Sequence, residues 1–134
     1  MARDLVDNVK ITQAIGPQAI LAGNGTLTGA TLDTQGFDST VVAVYSGTIT
    51  DGTGTPTVYE GDASNMSDEA AVAAGDLIGS LTAFASTDDN VTKKVGYRGS
   101  KRYIRVKLVG AGQTTGGFYG AVYVQGHARN NPVA

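Results

Sequence analysis

Residues 102–109 alternate without a break. Ile104, Val106 and Leu108 would point to one side of an extended backbone, and Tyr103, Arg105 and Lys107 to the other. A period of two does not fit a helix, so this segment is a strand with one face toward a core. The pattern returns over residues 118–127, with Phe118, Val122 and Val124 expected inward and Tyr119, Tyr123 and His127 outward. Residues 110–117 (GAGQTTGG) read as a flexible connection between the two.

The rest of the chain repeats this design in shorter pieces. Val9, Ile11 and Ile15 share one face of a first strand, which Gly16-Pro17 is expected to end because proline cannot donate to a ladder. Residues 26–32 read as a second strand. Leu27 and Leu32 fall on opposite faces there, and Gly29 is the position for a bulge. Residues 40–46 are apolar on both faces, as in a central strand covered on both sides. Residues 51–54 and 87–90 are turns, residues 57–60 a short strand around Val58 and Tyr59, and residues 91–97 a longer one. Ser67-Asp68-Glu69 ahead of an alanine-rich run has the look of a helix start, with Gly75 as its stop. That connector spans at most two turns, and Leu77, Ile78 and Leu81 then return the chain to the core.

These elements predict an all-β protein: an antiparallel β-sandwich of about eight strands, jelly-roll-like, with at most one short helical connector. An immunoglobulin-like sandwich is the runner-up, without its cysteine pair or tryptophan. The 19 glycines in 134 residues are dispersed with no three-residue period, which excludes collagen. No repeat of 20–50 residues marks a solenoid or propeller. The length suits one domain, 1–134, with flexible arms expected at 1–8 and 128–134.

Chemistry is sparse. With no cysteine there is no disulfide, zinc-thiolate site or thiol nucleophile, and one histidine excludes any site needing two. His127 lacks an orienting partner and reads as a surface residue. Asp88 and Asp89 are adjacent, so on a strand they would face opposite ways; they fit a turn better than a carboxylate pair or calcium loop. The 96–101 segment (GYRGSK) lacks phosphate-loop spacing and precedes a strand, so it reads as a hairpin turn. No catalytic residue, metal or cofactor is expected, and no enzyme. No apolar run approaches the ~20 residues of a membrane-spanning helix. The polar start lacks a signal-peptide core, and the sequons at Asn24, Asn65 and Asn90 are read as accidental.

Charge is divided unevenly. The net charge of −2 combines residues 1–90, with all twelve acids and only Arg3 and Lys10 (−10), and residues 91–134, with eight bases and no acid (+8). The preferred reading is that folding brings the halves together and neutralises them, because the ends of a Greek-key chain often share a sheet. The alternatives are a polyanion site and acidic and basic faces meeting between subunits. An outward stripe of Arg105, Lys107, Tyr119 and Tyr123 would interleave bases with aromatics. A protein interface and an ordinary solvated face rank equally for it, with nucleic acid third. Arg98, Lys101, Arg105, Lys107, Tyr119 and Tyr123 are the interface candidates.

The phrase at 95–106 (VGYRGSKRYIRV) resembles small β-rich head structural proteins of tailed bacteriophages and prophages. The opening at 3–8 (RDLVDN), the 33–38 turn (DTQGFD) and the close at 126–129 (GHAR) fit the same resemblance. It implies a virion protein made in the bacterial host cytoplasm, of the capsid decoration (cement) type. Such a protein would form homo-oligomers, a trimer favoured, and bind the major capsid protein at the capsid surface. The alternatives are a tail, head–tail or host-binding adhesin role, and a nucleic-acid-binding β-barrel.

Overall fold

The computed structural model describes residues 5–18 and 24–130. Strands β1 (Val9–Gln18), β10 (Gly117–Ala128), β4 (Phe37–Ile49), β8 (Thr92–Tyr97) and β7 (Leu77–Ile78) form one antiparallel sheet, in that spatial order. The second sheet runs β2 (Thr26–Thr28), β9 (Tyr103–Ala111), β5 (Thr53–Gly61) and β6 (Ala70–Ala71), with β3 (Leu32–Asp33) pairing β9 further along. Taken as one interrupted strand, β2 and β3 leave eight strands once the edge piece β7 is set aside. The first then pairs with the last, the second with the seventh, the third with the sixth and the fourth with the fifth. This is jelly-roll winding, as expected of the sandwich.

The core is the space between the sheets. Val42 and Val44 of β4, Val95 of β8 and Ala121 of β10 face Ile104, Val106 and Leu108 of β9, all at most 1% exposed. The alternation of β9 is as expected, with Tyr103, Arg105 and Lys107 on its outer face. That of β10 is reversed. Tyr119 (2% exposed) and Tyr123 (0%) lie in the core, whereas Phe118 is 45% exposed and Val122 and Val124 are half-buried. Alternation fixes which residues share a face but not which face is inside, and here the backbone decides. The second strand breaks at Gly29, where a Cβ would stand 2.7 Å from the Val106 carbonyl oxygen. The break is a bulge that returns both Leu27 and Leu32 to the core. It also leaves ladder groups unpaired. The Tyr123 hydroxyl spans the core to serve them, accepting from the Val106 N–H (3.0 Å) and donating to the Ala30 carbonyl (2.7 Å). The Gln125 amide likewise donates to the Asp33 carbonyl. Polar-tipped side chains therefore face inward and valines outward.

Four further expectations change. β1 runs past Gly16-Pro17 to Gln18 because it is an edge strand, where a missing N–H is tolerated. Its register shifts after Gln13, so Ile15 is buried while Ile11 is 67% exposed. The outer face of β4 has no covering layer, and Val41, Ala43 and Tyr45 are half-buried. No α-helix forms at the connector, where a two-turn helix is too short to stand alone. Asp68 instead accepts the Asp62 and Ala63 N–H groups, β6 pairs β5, and a single 3-10 turn follows at Ala74–Asp76. Leu77 and Leu81 pack on the core as expected, but Ile78 is 61% exposed. Of the expected arms, 1–4 and 131–134 lie outside the described residues. Leu5 to Asn8 form a turn, and the Arg129 N–H donates to the Gly36 carbonyl.

Candidate interaction surface

The fold first disposes of the cations. Lys93 meets Asp88 (3.9 Å), Lys101 meets Asp62 (2.8 Å), Arg102 meets Asp33 (2.9 Å) and Arg129 meets Asp38 (3.4 Å). On the outer face of β9, Glu69 takes Arg105 on one oxygen (2.7 Å) and Lys107 on the other. Every pair joins an acid from residues 1–90 to a base from 91–134, so the two halves neutralise each other as expected. Glu69 is the best-held carboxylate. The Arg105 hydrogen bond, reinforced by Lys107, brings its pKa from 4.5 to about 2 against the opposing effect of burial. Lys107 also sits 4.9 Å from the Tyr59 ring centre. Among the described bases after residue 90, Lys94 and Arg98 have no carboxylate at ion-pair distance, and Arg98 donates to the Gly75 carbonyl (3.0 Å).

The six sequence candidates therefore do not form one stripe. Arg105 and Lys107 share the outer face of β9 under Glu69. Lys101 lies in the β8–β9 turn, and Arg98 lies beside the 3-10 turn. Tyr119 and Tyr123 were expected outward. They are core residues and offer no surface, for the reason of backbone satisfaction given above.

What sequence reasoning missed is the outer face of the first sheet. Register places Ile11, Val124, Val41, Gly96 and Ile78 side by side, one from each of its five strands. Val122 and Ala43 lie in the next row. Tyr45 lies across Gly120, where a Cβ would stand 2.6 Å from its ring. Strand spacing gives this face roughly 400–500 Å². Its signal was the doubly apolar run at 40–46, taken for a strand with a layer on each side; one of those layers is absent. At the β7 edge the face dips into a trough of about 490 Å³, with Val41, Gly96 and Ile78 in its lining and Lys94 and Arg98 on its rim.

The polar turns are structural. Asp51 accepts N–H groups from Thr114, Thr115 and Gly116 and so orders the β9–β10 loop, which holds its pKa below the usual carboxylate range. Asp88 and Asp89 accept from Ala85 and Ile49. His127 is exposed, with Nδ1 2.5 Å from Ser39 Oγ. Among the described residues no three His, Asp or Glu side chains converge as a metal site, and no helix is long and apolar enough to cross a membrane.

No protein-family model and no curated protein matches the sequence. Among solved structures, the PBSX exported protein XepA is similar over 100% of this chain, with TM-score 0.58 and 19% identity. The chain spans 42% of the XepA chain. Weaker likenesses are to a structure of infectious bursal disease virus, Gx strain (TM-score 0.44, 15% identity, 92% of this chain and 34% of that one), and to Clostridium thermocellum endo-1,4-beta-D-xylanase 10B, CBM22-1–GH10 modules (TM-score 0.40, 10%, 96% and 28%). The XepA likeness shows a shared sandwich fold; the other two fall too low to carry an argument.

Proposed function

We propose that this chain is a structural protein of a phage particle, of the decoration (cement) type, which assembles as a homo-oligomer and docks on the major capsid shell. The observation that carries the reading is the uncovered apolar face of the first sheet on a molecule whose charges are largely paired internally. A contiguous apolar patch of this size marks a contact surface. Its fold likeness to a phage protein, XepA, supports the same assignment. The mechanism is association rather than catalysis. A standard interface takes about 800 Å² per partner, so the face supplies the apolar centre and needs a polar rim around it. Repeated over a symmetric shell, each small contribution is multiplied.

The test is binding of the purified chain to purified shells that lack it, read as copies per particle and as the temperature at which the shell opens. Saturable binding and a raised opening temperature are expected. Phe118→Asp should lower affinity at least tenfold while the melting temperature of the free chain stays unchanged. Failure of the wild-type chain to bind shells would overturn the reading. Steeply salt-dependent binding to single-stranded DNA would favour the nucleic-acid alternative instead, although the internal ion pairs oppose it.

A further inference from the structure

The first sheet carries two complementary features at its opposite edges. At the β1 edge, the turn before the strand exposes Leu5 (67%) and Val6 (77%) as neighbours, and with Val9 and Ile11 they line one apolar patch. The sequence sets Asp4 and Asp7 on either side of this pair. At the β7 edge lies the trough, its Gly96 floor open between Val41 and Ile78 and its rim carrying Lys94 and Arg98. These are the described bases of the last third that have no carboxylate at ion-pair distance. An apolar pair flanked by acids thus faces away from one edge, and an apolar trough flanked by bases occupies the other. Four strand spacings, roughly 19 Å, separate the two, so one chain cannot join them by itself.

We infer that the Leu5-Val6 turn of one copy docks in the Val41–Gly96–Ile78 trough of the next, a head-to-tail contact between copies of this chain. Gly96 is suited to the role. Even a Cβ there would stand 3.1 Å from Ile78, so any side chain would fill the space the incoming residues need. The contact joins two different patches, so it is heterologous and closes a ring when its rotation permits. The charges set its direction: the acidic turn meets the basic rim, and a face-to-face arrangement would bring Lys94 near its own copy. The inference goes beyond the capsid reading and does not depend on it.

The test uses the purified full chain alone, by sedimentation velocity over a range of concentrations. The wild type should sediment as a multiple of 13.7 kDa. Leu5→Ser with Val6→Ser removes the docking turn, and Ile78→Asp places a negative charge in the trough; all three positions are exposed, so folding is retained and checked by circular dichroism. Each variant should dissociate at least tenfold more readily. Mixing the two should restore a two-chain species, because each still holds the half the other lost. A monomeric wild type, unaltered assembly in either variant, or a mixture that stays monomeric would overturn the inference. Loss of shell binding with assembly intact would count against the capsid reading instead.

Discussion

Tyr119 and Tyr123 lie four residues apart on β10, both with rings in the core, yet removal of their hydroxyls should have opposite effects. The Tyr123 hydroxyl is the acceptor for the Val106 N–H, on a residue that is 0% exposed, and the donor to the Ala30 carbonyl. Tyr123→Phe strands the Val106 N–H inside the sandwich, whereas the carbonyl of exposed Ala30 turns to water. One buried unsatisfied donor costs about 1–3 kcal/mol. Taking ~2 kcal/mol, the melting temperature of a chain this size falls by roughly 6–10 °C. The Tyr119 ring packs edge-on against Phe84 at 5.7 Å, and its hydroxyl is buried with no partner among the described residues. Tyr119→Phe keeps the ring and removes an unsatisfied group, so its effect should lie between neutral and a gain of about 1 kcal/mol. Urea unfolding followed by circular dichroism measures both. If Tyr119→Phe costs as much as Tyr123→Phe, the argument that the bulge turns β10 inside out is wrong. Alkali gives an independent check. Burial pushes the Tyr123 phenol up to about 12 from an ordinary 10.0. The neutral form is favoured in the folded state, so this contribution is complete below pH 10 and lost as pH rises through 12. Tyr123→Phe should remove that part of the alkaline loss.

Glu69→Gln breaks the clamp on Arg105 and Lys107 and should cost about 1–3 kcal/mol at pH 7 in urea unfolding. Because the carboxylate is depressed to about 2 from 4.5, its contribution is present above pH 4.5 and fades as pH falls toward 2, so variant and wild type should converge there. Gly29→Ala drives a Cβ against the Val106 carbonyl oxygen and should destabilise by about 1–3 kcal/mol in the same assay; a neutral result would mean the bulge has slack.

Strand positions were legible because alternation and turn residues are local. The break at Gly29 was legible from the mismatch of Leu27 and Leu32. The inner face of β10 was not, since phenylalanine and valine outrank tyrosine as core residues until one asks which side chain reaches the Val106 N–H. The connector at 67–74 had helix-like composition, and only the distant Arg105 and Lys107 explain why Glu69 is drawn into an extended segment. The docking face stayed hidden for a related reason. A strand apolar on both sides announces two contacts, and the sequence does not say that one is left to another molecule.

The position of β10 between β1 and β4 bears on how a copy is made. The central strand of the first sheet is the last to leave the ribosome, so that sheet closes only when translation is nearly finished. Until then the emerging chain is strongly acidic, and its counter-charges arrive with the final third. Mutual repulsion along that acidic stretch keeps unfinished copies apart during the interval when their strand edges are bare, and completion of the chain both closes the sheet and removes the repulsion.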